Sequence, residues 1–130
     1  MEIITHQAIE PSLCGVPQQV EKGYSRVTLR TSQAMAADHM GLVHGGFIFG
    51  LADYAAMIAV NHPNVVLGAA DVKFLKPVRV DETVVAEARV EEPQGKKQWV
   101  AVSVSNQKDI VFQGMFTCFI LEHHVLETRP

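Results

Sequence analysis

The chain has 130 residues, a net charge of −3, and a composition that is 48% hydrophobic and 19% charged. This fits a single domain, 1–130, with a core spanning about residues 20–121 and a flexible C-terminal tail. There is no block of Lys or Arg; Lys96 and Lys97 sit beside Gly95 in a turn, and Lys73, Lys76 and Arg79 are spread out. A broad nucleic-acid footprint is therefore not expected, although those last three could meet a few phosphates. Cys14 and Cys118 lack metal-site spacing, and two cysteines are a weak disulfide signal. MEIITHQAIE at the start carries no basic region followed by an apolar stretch, so no secretory signal is read. The expectation is a reduced, cytoplasmic setting.

In chain order, a short helix is expected around Thr5 to Leu13, interrupted or ended by Pro11 and Pro17; His6 within it reads as a surface residue. Gly23 to Thr31 (GYSRVTLRT) alternates with period 2 and reads as a strand with one wet face. Gln33 to Met40 reads as a connection. Then comes a segment unlike any other, MGLVHGGFIFGLADYAAMIAVN, which predicts a helix from Gly45 or Gly46 to about Val60, stopped by Asn61, His62, Pro63 and Asn64. Four strand-like runs follow: Val65 to Leu75, Thr83 to Val90, Gln98 to Ser105 and Ile110 to Leu121. Pro93 to Lys96 and Asn106 to Asp109 form the later turns. Short links favour antiparallel pairing, since parallel neighbours need a crossover of about a dozen residues. The fold class read from this order is α+β: one long helix against a strongly curved antiparallel sheet.

The helix is too short, and too rich in Gly and Ala, to span a bilayer, which takes about 20 apolar residues. Its apolar residues, from Phe47 through Val60, cover the full circumference. One sheet covers about half of that surface. The rest needs a partner, either a second copy of the chain or the N-terminal segment folded over it. Gly45 and Gly46 stand where the helix begins, where unpaired amides and the helix dipole favour an oxyanion or an anionic ligand. The same glycines would also serve a plain tight turn.

Asp53 is the only charge in this helix. It lies seven residues from Gly46, nearly on the same face but about 10.5 Å along the axis. A carbonyl held at the glycines cannot reach Asp53 of the same helix; two antiparallel copies would bring the two together in composite sites. A buried carboxylate of this kind suits a general base, and it would equally suit a structural hydrogen-bond acceptor. His44 reads as a residue that braces the turn or orients a ligand. No nucleophile elbow, dinucleotide loop or phosphate loop is present, no metal site is read, and His123 and His124 read as tail residues without a role.

With V-H-G-G-x-x-x-x-L-A-D at Val43 to Asp53, and a later strand ending F-L-K-P at Phe74 to Pro77, the chain resembles the hotdog-fold acyl-CoA thioesterases of the phenylacetate-pathway (PaaI-like) type. The resemblance covers about residues 20–121. It implies a long helix wrapped by an antiparallel sheet, and side-by-side dimers that often pair again into tetramers. It implies that the Gly45 backbone N–H polarises the thioester carbonyl, that Gly46 is the second glycine of the turn, and that Asp53 of the neighbouring subunit activates water or attacks directly. His44 would orient the substrate or meet the leaving group. Members often carry Ser or Thr where this chain has Gly68-Ala69-Ala70. Relatives of the same fold also serve as acyl-CoA-binding regulators.

The resulting expectation is hydrolysis of acyl-CoA, with coenzyme A as part of the substrate and no separate cofactor. Phe49, Met57 and Phe74 would line an apolar tunnel at the subunit interface, while Lys73, Lys76 or Arg79 would meet the phosphoadenosine end. The alternative is a sensor or carrier that binds acyl-CoA without turning it over.

Overall fold

The computed structural model describes residues 1–127, with the backbone alone at 92–94. Its elements run α1 (Pro11–Cys14), β1 (Val16–Glu21), β2 (Tyr24–Arg30), α2 (Gly45–Val60), β3 (Val65–Phe74), β4 (Thr83–Gln94), β5 (Lys97–Ser105) and β6 (Ile110–Ile120). A short 3-10 turn at Gln33–Met35 precedes α2. The strands form one antiparallel sheet in the order β1-β2-β4-β5-β6-β3. This is the expected α+β hotdog fold, one long helix against a curved sheet.

The helix forms where expected because its residues suit it and its ends are marked. Asn61 takes the left-handed conformation at the C-terminus (φ +53°), and its N–H closes onto the Met57 carbonyl at 2.8 Å. Pro63 then prevents the helix from continuing. Ile48, Leu51, Ala55, Ala56, Met57 and Ile58 are buried against the sheet, and Phe112 and Phe116 are fully enclosed beneath it. Ser25 on β2 pins the helix from the side, its hydroxyl donating to the Ala55 carbonyl at 2.6 Å in a buried position.

Curvature comes from register shifts in four of the five strand pairs, including Leu67/Ala69 on β3 and Val90/Glu92 on β4. Bulges of this kind bend and twist a sheet. Two glycines let β3 and β6 close tightly. A Cβ on Gly114 would stand 2.6 Å from the Asp71 carbonyl oxygen, and one on Gly68 would stand 2.2 Å from the Phe119 ring.

Three expectations need correction. Residues 16–21 form an additional edge strand, β1, that the sequence reading left unassigned. The N-terminal helix shrinks to Pro11–Cys14, capped by the Glu10 carboxylate accepting from Ser12 N–H at 3.2 Å. Proline opens a helix readily but pushes the residue before it into extended backbone, so residues 5–10 stay outside. His6, expected at the surface, is half-buried. The extended segment packs Ile3 and Ile9, and α1 packs Cys14, against the core, so the chain itself supplies part of the cover the helix needs. What stays open on α2 is the arc carrying Gly46, Gly50 and Asp53.

Candidate active site

The approach to α2 is held by hydrogen bonds. Asp38 Oδ1 accepts from the Met40 and Leu42 amides at 3.0 and 3.2 Å, Val43 N–H donates to Val78 O at 2.8 Å, and His44 N–H donates to Met35 O at 2.9 Å. His44 is the helix N-cap, but its side chain makes no capping hydrogen bond. Among the described residues, no backbone or side-chain acceptor takes the Gly45 or Gly46 amide. These amides are the free first-turn donors that the sequence led one to expect. A side chain at either glycine would crowd a neighbouring ring. A Cβ on Gly45 would come within 3.1 Å of the Phe74 ring, and one on Gly46 within 3.0 Å of His44 Nε2. The imidazole of His44 therefore folds back over Gly46, and its edge meets Phe47 with centroids 6.1 Å apart.

Gly45 lies at the rim of a cavity of about 350 Å³ lined by Ile48, Phe74, Lys76, Pro77 and Val111 among others. Phe74 is 56% exposed at its mouth. Lys76 reaches Asp109 at 3.8 Å, both side chains being largely in solvent. Lys73 and Arg79 are exposed as well, but they do not line this cavity.

Asp53 lines a different cavity, of about 360 Å³, together with Thr5, His6, Met57, Leu67 and His124. Its Oδ1 is buried and has no hydrogen-bond partner among the described residues. Burial pushes its carboxyl up from 3.8 to about 6. The same charge helps to raise the thiols of Cys14 and Cys118, although burial is the first cause for both. Within one chain, then, the glycine turn and the carboxylate face separate spaces, as the helical spacing required.

Of the tunnel residues expected from sequence, Met57 lines the Asp53 cavity and Phe74 the Gly45 cavity. Phe49 instead packs on Phe112 and Phe116, with centroids 6.4 and 5.5 Å away. Three residues that sequence reasoning passed over, Thr5, His6 and His124, share the Asp53 cavity. The described residues contain no cluster of His, Cys, Asp or Glu able to hold a metal ion, and no described helix is long and apolar enough to cross a membrane. A larger hollow of about 480 Å³, lined by Glu87, Arg89, Ser103 and Gln113, contains none of the residues singled out from sequence.

The family model for the thioesterase superfamily matches residues 40–112, which takes in the glycine turn, all of α2 and the strands through the start of β6. The chain belongs to the thioesterase superfamily. Among solved structures, an uncharacterized protein of Pyrococcus horikoshii is 50% identical, with a TM-score of 0.96 and 98% of each chain covered. A Streptococcus mutans protein solved with acetyl CoA shares the fold at 24% identity and a TM-score of 0.80, covering 92% of this chain and 97% of that one. Among curated relatives, methylthioribose-1-phosphate isomerase of Aquifex aeolicus is 53% identical over 94% of this chain but only 27% of its own length. Transcription factor FapR of Caldanaerobacter subterraneus subsp. tengcongensis is 32% identical over 68% of this chain and 44% of its own. The chain thus spans between about a quarter and a half of these curated relatives.

Proposed function

We propose that this superfamily member hydrolyses acyl-CoA thioesters, in the manner of the PaaI-like type, at a site shared between two copies of the chain. The observation that carries the reading is Asp53: a buried carboxylate with an unpartnered oxygen, facing a cavity, its pKa raised to about 6. A general base works best with a pKa near the working pH, and a purely structural carboxylate would have its oxygens satisfied.

In this reading the acyl carbonyl points at the free Gly45 and Gly46 amides of one subunit, which stabilise negative charge as it develops on oxygen. Asp53 of the other subunit takes a proton from water as the water oxygen adds to the carbonyl carbon. The tetrahedral adduct collapses, the C–S bond breaks, and the CoA sulfur leaves and takes up the proton. His44, folded over Gly46, orients the substrate at the turn. Lys76, at the rim of the Gly45 cavity, is the best placed of the three cations to meet the phosphoadenosine end; Lys73 and Arg79 stand farther out. A homodimer, with a dimer of dimers as its extension, supplies the second half of each site, and a cytoplasmic setting suits the substrate. The acetyl CoA bound to the S. mutans relative supports the choice of ligand.

A second reading, binding without turnover, is favoured by the likeness to a transcription factor over 68% of this chain. The isomerase likeness supports no isomerase reading, because the match spans 27% of that protein. One experiment separates the two readings. Wild type and Asp53→Asn are given straight-chain and aromatic acyl-CoAs, with free thiol release and ligand binding both followed. Turnover in wild type, lost in the variant with binding kept, supports hydrolysis. Binding with no turnover in either supports the sensor, and a variant as fast as wild type removes Asp53 from the chemistry.

A further inference from the structure

The first ten residues form no helix or strand, yet they are held in place. Ile4 N–H donates to Asn61 Oδ1 at 2.9 Å, and Asn61 Nδ2 donates to the Glu2 carbonyl at 2.8 Å. The residue that caps α2 therefore also clamps this strap across it. Beyond the clamp, Thr5 is buried, and its Oγ1 lies 2.8 Å from His6 Nδ1. His6 itself adopts φ +52°. Non-glycine residues rarely take this left-handed conformation, and where they do it costs about 1 kcal/mol or more and tends to mark functional positions.

The strap delivers both side chains to the cavity that contains Asp53. What else faces that space narrows the choice. β3 contributes only Val65, Val66 and Leu67, with no hydroxyl or amide side chain. Asn64 is turned to the Glu122 carbonyl, and His124, its Nδ1 accepting from Leu126 N–H, is the second imidazole at this space but comes from the far end of the chain, without a clamp like that on the strap among the described residues. On His6, Nδ1 is engaged with Thr5, and Nε2 has no partner among the described residues. Asp53 Oδ1 is enclosed and without a partner among the described residues, which leaves Oδ2 as the carboxylate oxygen open to the cavity. A bound water needs two or more polar partners in a space able to hold it, and the His6 imidazole and the Asp53 carboxylate, through Oδ2, both line this cavity of about 360 Å³.

We propose that His6 is a further residue of the site, its Nε2 holding, together with Asp53, the water that attacks the acyl carbonyl. Thr5 fixes the ring, and Asn61 fixes the strap that carries both. The assignment rests on the hydrolytic reading above. Burial lowers the His6 pKa, which keeps the imidazole neutral and free to hydrogen-bond a neutral water.

The test uses the full chain and two substitutions of one residue. His6→Asn tolerates the left-handed backbone and puts an amide nitrogen near the position of Nδ1, but nothing where Nε2 was. His6→Gln extends an amide to the Nε2 position. With an acyl-CoA that wild type hydrolyses, His6→Asn loses about tenfold in kcat, the worth of one hydrogen bond in the transition state, with KM little changed. His6→Gln recovers most of that loss. A His6→Asn variant with wild-type kcat, beside an inactive Asp53→Asn, overturns the role of His6 and leaves the hydrolytic reading standing. A His6→Gln variant as impaired as His6→Asn also overturns it, because the strap is then a structural cover alone. Absence of turnover in wild type itself removes both readings together.

Discussion

Replacing Asp53 by Asn should separate what this residue costs the fold from what it does in the site. Burial without a hydrogen-bond partner raises its carboxyl from 3.8 to about 6, so the folded chain prefers the protonated form. The stabilising effect of that proton is fully present below pH 3.8 and is lost as pH rises through 6. A displacement of this size corresponds to about 3 kcal/mol. With screening by the solvent that Asp53 still meets, we expect about 2 kcal/mol at neutral pH. Asn carries no charge at any pH. Asp53→Asn should therefore be the more stable protein at pH 7.5, by roughly 5–10 °C in Tm, and should match wild type near pH 4. Thermal melts of both proteins at the two pH values are sufficient. A variant no more stable than wild type at pH 7.5, or a gain of equal size at pH 4, would refute the reasoning. In the same pair of proteins, thioester turnover should fall about a hundredfold or more on substitution, and wild-type kcat should rise with pH through about 6 as Asp53 ionises.

Other substitutions probe the scaffold. Ser25→Ala removes the buried donor to the Ala55 carbonyl and should cost about 1–3 kcal/mol in urea unfolding, because the carbonyl is left unsatisfied; an unchanged midpoint would mean that water replaces the hydroxyl. Gly114→Ala drives a Cβ into the Asp71 carbonyl oxygen and the Val72 backbone, so it should destabilise by about 1–3 kcal/mol. Gly50→Ala, with nothing of its own chain within 4 Å of the new carbon, should instead gain about 0.5–1 kcal/mol from the helix backbone; a loss in urea unfolding would mean that a second copy packs on this arc. Cys118 is fully buried with its thiol pushed up to about 12, so iodoacetamide at pH 7.5 should leave it unmodified until the protein unfolds, as mass spectrometry of the labelled chain will show.

How far the sequence could be read follows from where each signal is encoded. The bounds of α2 are local, set by the glycine turn at one end and Asn61 with Pro63 at the other, and they stand as expected. The later strands are also local, because alternation survives wherever one face is wet. β1 carries no such pattern: its six residues hold Pro17 and alternate irregularly between exposed and half-covered, as an edge strand can. β4 runs on through residues 91–94 because β5 still pairs with it there; β2 has stopped pairing at Arg89, so the strand has a partner on one side only and Pro93 is tolerated. The separation of Gly46 from Asp53 was legible as helical arithmetic. The company Asp53 keeps was not. Thr5 and His6 reach it only because a side chain 57 residues away from Ile4 clamps the strap, and His124 arrives from the far end of the chain. No spacing encodes those meetings.

The two edges of the sheet are unequal. At one side β1 is short, shifted in register and interrupted by Pro17, which offers no N–H. At the other, β3 runs ten residues, with its stretch from Gly68 to Asp71 exposed. An open strand edge is a template for another strand, and proteins commonly blunt it; here only one of the two is blunted. Growth by strand addition therefore has a single direction. Two copies meeting antiparallel along β3 would consume both open edges in one event and present only the blunted ones outward, so growth by strand addition would stop at that pair and any further association would have to use other faces.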